Sequence, residues 1–254
     1  MKGPCGKVYE SMIAMGDIGR VSTWSKTGYN AAVGATSEDL WVLSVPNNWP
    51  AAAINMEVVS SAAADTIAGN NIQQVVVKYL DANYAEQSII VNMAGVAPVA
   101  LGVNVLRVQT FRAYTYGVNP VAAGNIDIRM IGGAATIYSR IGTGFNRARN
   151  DQWTVPYNKT LYVTSIAFSS TSNAAQNATI FTTRATFDDS TARLLTPGLF
   201  FMPYHEIGVM DGAFFRELEV PTKLPATTDI KVSAQSLNAA TVCTSVLRGF
   251  TVTA

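Results

Sequence analysis

The 254-residue chain is poor in the groups that do chemistry: it has one histidine, two cysteines and a charged fraction of 14%. A typical globular domain carries about 25% charged residues. Ser, Thr, Asn, Gln, Ala and Gly must therefore cover most of this surface. A single histidine leaves one possible base for a His-dependent triad and excludes metal sites built from several His ligands. That residue, His205, stands in FFMPYHEIG beside Pro203 and Tyr204 and reads as a strand-end side chain. Cys5 and Cys243 lie at opposite ends, without CxxC spacing, and read as two free thiols. Eighteen Lys plus Arg against seventeen Asp plus Glu give a net charge of +1. So small a charge draws the chain neither to nucleic acid nor to an anionic membrane, and a weakly charged surface favours permanent assembly. No run approaches the ~20 apolar residues of a membrane span. The opening MKGPCGKVYESMIAMGDIGR also has no apolar core of signal-peptide length. The expectation is a protein made in a reducing cytoplasm, with no cofactor and no resident metal.

The usual catalytic signatures are missing too. There is no GxSxG elbow, no GxxxxGK[ST] phosphate loop, no HExxH helix and no GxGxxG. The carboxylates Asp188, Asp189 and Glu206 could serve a hydrolase, yet Asp188-Asp189 falls at an expected hairpin, where Asp is favoured for its turn hydrogen bonds. The run Asp81-Ala82-Asn83-Tyr84-Ala85-Glu86 offers oxygen ligands to Ca²⁺ but lacks the glycine and ligand count of an EF-hand loop, and it too reads as a turn. The stretch VLRVQTFRAYTYG, Val105–Gly117, interleaves Arg107, Phe111, Arg112, Tyr114 and Tyr116 in the manner of a single-strand nucleic-acid surface. Its alternation equally fits a strand with one packed face.

What the chain does have is period-two and β-branched runs closed by turn residues. Expected strands are Leu40–Val45, Asn55–Ser60, Gln73–Leu80, Gln87–Met93, Val105–Tyr116, Asn125–Ile131 and Thr136–Arg140. A second set covers Gln152–Val155, Thr160–Ser169, Thr179–Phe187, Phe200–Tyr204, Ala213–Val220, Asp229–Ser236 and Val242–Thr253. Asn47-Asn48, Ala68 to Asn71, Gly117 to Pro120 and Gly132-Gly133 punctuate the first set. The two sets echo each other: the serine pair ending a strand recurs at an offset of 109 (60 to 169), and the aspartate at the next turn at 107 (81 to 188). The fold class expected is all-β, with two tandem antiparallel, jelly-roll-like β-sandwich domains behind an extended N-terminal arm. The arm covers residues 1–36, the first sandwich 37–142, a linker 143–150 and the second sandwich 151–254. Trp24 and Tyr29 on the arm are candidate interaction residues, as are Arg140, Arg147 and Arg149 around the linker. The arginines form either a basic contact with a partner or a solvated connection.

Three stretches carry a resemblance. SSAAADTIAG followed by QVVVKYLDANYAEQSIIVNMAGVAPVAL, then TVPYNKTLYVTS (Thr154–Ser165) and FRELEVPTKLPATTDIKV (Phe215–Val232), resemble segments of uncharacterised virion structural proteins of tailed bacteriophages. Met93-Ala94-Gly95 stands where such proteins often have Leu-Asn-Gly, and Tyr157-Asn158 where Ala-Gly is usual. With Glu38 to Trp41 the resemblance covers most of the chain after residue 36. It implies a non-enzymatic virion component, assembled in the bacterial cytoplasm. The leading form is a capsid decoration or cement protein, a dimer or trimer bound to the major capsid protein, with Trp24 and Tyr29 bridging neighbouring subunits. The alternative is a receptor- or glycan-binding module of a head or tail fibre, using aromatic loops around Trp49, Trp153 and Tyr157.

Overall fold

A computed structural model describes residues 9–43, 49–132, 136–172, 178–188, 190, 193–196, 198–237 and 240–254. Cys5, Asn47-Asn48, Gly133 and Asp189 lie outside these residues. One short helix, α1 (Tyr9–Ala14), precedes the strands and closes at Gly16, whose φ of 76° permits a Schellman cap: Gly16 N–H bonds Ile13 O at 3.0 Å and Asp17 N–H bonds Met12 O at 2.9 Å. The strands are β1 (Val21–Val33), β2 (Glu38–Asp39), β3 (Ile54–Ser60), β4 (Ile72–Leu80), β5 (Glu86–Asn92), β6 (Val99–Val105), β7 (Arg107–Tyr116), β8 (Ile126–Met130) and β9 (Ile137–Ile141). Then come β10 (Trp153–Thr154), β11 (Lys159–Thr171), β12 (Ala178–Ala185), β13 (Phe187–Asp188), β14 (Arg193–Leu194), β15 (Met202–Met210), β16 (Gly212–Leu224), β17 (Asp229–Ser236) and β18 (Thr241–Thr253).

All strand pairings are antiparallel, as the turn-punctuated pattern requires. Sheets β6-β3-β8-β9 and β5-β4-β7 face each other over a core that includes Met56, Val75, Val77, Phe111, Ile126 and Ile128. Sheets β1-β18-β11-β16 and β10-β17-β12-β15, the latter with β2 added on β17, enclose Leu161, Phe168, Phe181, Val232 and Leu247. Phe168 and Phe181 stack across that core with centroids 4.8 Å apart.

The repeat suggested by the serine and aspartate offsets is visible as topology. Strands β3 to β8 give the orders β6-β3-β8 and β5-β4-β7; the later strands β11, β12, β15, β16, β17 and β18 give β16-β11-β18 and β15-β12-β17. Taken in chain order, each strand occupies the same place in both sandwiches.

Two expectations are corrected. Residues 21–33, expected in an extended arm, form β1, paired with β18 from Val21↔Val252 to Val33↔Thr241. The edge of β18 offers a row of backbone partners, and Trp24 and Val33 bring apolar surface to the second core, so docking outweighs solvation. The strands expected over Leu40–Val45 and Val105–Tyr116 also differ. Leu40 to Leu43 form a bend that buries Leu40 and Trp41, and residues 44–48 lie outside those described. The strand expected over Val105–Tyr116 is β7, starting at Arg107, while Val105 closes the unexpected strand β6, because the chain crosses between sheets at Leu106. The apolar run continues through that crossing, so periodicity alone gives no break.

Candidate interaction surfaces

The residues singled out in the sequence gather chiefly at the joint between the two sandwiches. Arg107, first residue of β7, donates from Nε to Asp229 Oδ1 and from Nη2 to Asp229 Oδ2, both at 3.1 Å. Asp229 is in turn the first residue of β17. Arg107 Nη1 donates to the carbonyls of Pro50 at 3.1 Å and Leu106 at 3.0 Å, and the rings of Trp49 and Tyr84 lie 5.2 and 5.9 Å from its guanidinium carbon. Two positions along β7, the Gln109 side chain bridges to β10, accepting from Thr154 N–H at 3.1 Å and donating to Thr154 O. Lys159 pairs with Glu86 nearby. A fork of guanidinium donors matched to a carboxylate fixes orientation as well as distance, so the joint has little freedom to hinge.

Trp24 and Tyr29 serve this interior. Trp24 is buried against Trp153, with centroids 5.3 Å apart, and Tyr29 meets Phe145 edge-on at 6.0 Å. Both rings make contacts within the chain, because β1 presents one face to the core. Of the three aromatic residues of the alternative reading, Trp153 is buried, Trp49 is half-buried and stacks on Phe201 at 5.9 Å, and Tyr157 is well exposed.

The arginines divide. Arg140 on β9 is tied to Asp127 on β8, Nε to Oδ1 at 2.5 Å and Nη2 to Oδ2 at 2.6 Å. The segment expected as a free linker runs along β7: Ala113 N–H bonds Asn146 O at 2.7 Å and Ala148 N–H bonds Phe111 O at 2.8 Å. This places Arg147 directly across from Arg112. Arg149 packs its guanidinium against Phe145 at 3.8 Å and Tyr29 at 5.4 Å. Tyr29, Arg147 and Arg149 therefore converge, while Trp24 and Arg140 do not join them.

A surface that sequence reasoning missed lies on β15 and β16. Each strand ends its sheet and is largely exposed, with Val209 and Leu224 buried and Tyr204, Ile207, Phe214 and Leu218 packed partly against the second core. Val220 is 81% exposed, Leu199 74% and Met210 70%, with Phe200 and Phe215 also open to solvent. The pairing of β16 with β11 jumps from Val163↔Thr222 to Ser165↔Glu217, so Leu218 to Pro221 form a bulge, in which Leu218 packs partly on the core and Val220 is open to solvent. Beside the bulge an open groove of roughly 820 Å³ is lined by Phe215, Leu218, Pro221, Arg248 and Phe250. Glu217, Glu219, Pro221 and Lys223 are devices that oppose uncontrolled strand addition, leaving side-chain packing as this flank's mode of contact. The available signal was the run LFFMP followed by FFRELEV, apolar residues that fit neither a clean period of two nor a buried strand.

No family of proteins matches this chain, and no curated protein does. Among solved structures it is similar to one of infectious bursal disease virus, Gx strain, at 10% identity over 92% of this chain and 72% of that chain, with a TM-score of 0.24. The corresponding values for the Gt strain are 10%, 92%, 73% and 0.23. Overlaps that loose define neither a shared fold nor a shared role.

The candidate chemical groups have structural work. His205 Nε2 lies 3.2 Å from Thr222 Oγ1, and burial, with Arg216 adding to it, holds its pKa below the ordinary value. Asp188 Oδ1 accepts from Ser190 N–H at 3.0 Å and Ser190 Oγ at 2.6 Å; Asp81 Oδ1 accepts from Asn83 N–H at 2.8 Å and Ala85 N–H at 3.0 Å. Both are turn caps. Burial pushes the Cys243 thiol up to about 12, so it stays protonated. Among the described residues no group of three or more His, Cys, Asp or Glu could hold a metal, and no helix is long and apolar enough to cross a membrane. Asp65, in the Ala-Ala-Asp-Thr loop, is fully buried and accepts from Ser60 Oγ at 2.7 Å and from the N–H groups of Ile72 at 3.3 Å, Ala123 at 3.0 Å and Gly124 at 3.1 Å. It ties β3, β4 and the loop before β8 together.

Proposed function

We propose that the chain is a structural component of a tailed-phage virion, a decoration or cement protein that binds the outside of the capsid shell. The observation that carries this reading is the open apolar flank of β15 and β16. The phage-like stretches SSAAADTIAG and FRELEVPTKLPATTDIKV support it from the sequence. Two sandwich domains riveted by Arg107 and Asp229 form a stiff body, and the flank packs against the major capsid protein or a second copy of the chain. An interface of about 1,600 Å² suffices for one such contact, and repetition over a symmetric shell multiplies it.

The test joins copy number to the flank. Intact particles should hold hundreds of copies, and Phe215→Lys with Val220→Lys should abolish incorporation while shifting monomer stability by no more than about 0.5 kcal/mol, as exposed substitutions do. Six or twelve copies per particle would move the protein to a tail or neck, and normal incorporation of the double variant would remove the flank from the contact.

A further inference from the structure

A second feature of the joint has no part in that reading. A pocket of roughly 160 Å³ between β1, β7 and the segment 147–150 is lined by Lys26, Arg112, Arg147 and Arg149, with Thr110 and Asn150 beside them. Four cationic side chains share this small space, and among the described residues no Asp or Glu lines it.

Two details make the cluster more than a basic stretch. Arg112 and Arg147 face each other directly across an antiparallel bridge, an arrangement in which like charges lie a few ångströms apart and oppose pairing. Arg149 is positioned by rings, Phe145 at 3.8 Å and Tyr29 at 5.4 Å, with no carboxylate holding it. Cation–π packing fixes a guanidinium plane while leaving its N–H edge free to bind. The nearby Asp151 interacts with Lys26, whose Nζ also donates to Gln109 O, and leaves the three arginines to the pocket. Its Oδ2 accepts from Ser245 Oγ at 2.7 Å and its Oδ1 from Val232 N–H at 3.2 Å, on the core side of Gly28.

We propose that this pocket binds a tetrahedral oxyanion, phosphate or sulfate, either free or carried as a pendant group on a polymer. Planar forks at Arg112 and Arg147 match such oxygens bidentately, and the Thr110 hydroxyl and Asn150 amide supply neutral donors. A water occupies about 30 Å³ of liquid, so the space takes one such group and a few waters. Tyr114 and Tyr116 follow Arg112 along the same outward face of β7 at the strand period, giving a longer ligand aromatic surface beyond the anion.

Isothermal titration at constant ionic strength, with chloride as the balancing salt, tests this with three probes: inorganic phosphate, sulfate and a ten-nucleotide oligothymidylate. At least one should bind saturably at one site per chain. Arg112→Gln with Arg147→Gln should weaken that binding at least tenfold, and the ligand-free variant should melt no lower than the parent because the facing charges are gone. Arg140→Gln, whose partner is Asp127, should bind normally. Oligothymidylate binding much tighter than phosphate identifies a polymer as the source; equal affinities identify a free anion. The proposal is overturned if none of the probes saturates, or if the double variant binds them as the parent does.

Discussion

Loss of Arg107 should uncouple the two sandwiches. The guanidinium and the Asp229 carboxylate are both buried, held by two 3.1 Å bonds, and Asp229 also accepts from Thr154 Oγ1. Arg107→Met strands a buried carboxylate without its cation, and breaking a buried pair in this way costs about 3–5 kcal/mol. Asp229→Leu strands the guanidinium instead, but Pro50 O and Leu106 O still accept from it and the rings of Trp49 and Tyr84 still flank it, so its cost should fall at the lower end. The double variant leaves no orphan charge, and its cost should be less than the sum by about 2–4 kcal/mol. Urea unfolding followed by two probes reads this. All four tryptophans, at 24, 41, 49 and 153, lie outside the strands β3 to β9 of the first sandwich, so their emission follows the second sandwich and the joint. Far-ultraviolet circular dichroism follows both. The parent should give coincident transitions, and Arg107→Met should separate them. Costs that add within about 0.5 kcal/mol, with transitions still coincident, would refute a joint organised around this pair.

Asp65→Ala removes the acceptor of four hydrogen bonds in a closed site and should destabilise the chain by about 3–5 kcal/mol, measurable as a lowered urea midpoint; a loss under about 1 kcal/mol would mean that water replaces the carboxylate. Asp151 predicts a pH effect of definite sign. Burial raises its pKa from 3.8 to about 7, against the opposing bonds from Ser245 and Val232. The native state thus keeps a proton that the unfolded chain has released between these values. The stabilisation is complete below about pH 4 and is lost as the pH rises through 7, by up to about 4 kcal/mol. Asp151→Asn should therefore gain on the parent steadily from pH 4 to 7.5 in chemical denaturation; a difference that does not change with pH would show that the carboxyl is not held in its neutral form.

Most of the strand pattern was legible because alternation and turn residues are local signals. Asp229–Ser236 is found at the bounds its alternation implies, and Gln73–Leu80 and Gln87–Met93 are met within a residue at each end. The largest failure involves a distant partner. Nothing near Val21 announces that its ladder partner is Val252, and a strand lacking its neighbour in sequence resembles an arm. The interaction residues fared similarly. Arg147 and Arg149 were recognisable as unusual in a weakly charged chain, but their meeting with Arg112 depends on how the segment 143–150 lies along β7. Asp65 carries no signal in the sequence because its donors, from Ser60 to Gly124, are assembled only by the fold.

The shared topology explains why the joint lies where it does. Arg107 opens β7 and Asp229 opens β17, and these are the same strand in the two sandwiches. Both strand starts therefore come to one junction, each bringing a side chain that reaches the other. Identical residues there would face each other, and two buried like charges could not stay ionised. The chain resolves this by placing Arg at one copy and Asp at the other, so an oriented pair forms in only one combination. Exchanging them, Arg107→Asp with Asp229→Arg, keeps the charges but moves the guanidinium away from Pro50 O, Leu106 O and the Trp49 and Tyr84 rings that receive it. The exchanged protein should recover less than half of the lost coupling in the same urea experiment. Full recovery would mean that charge alone, without this asymmetric lining, sets the junction.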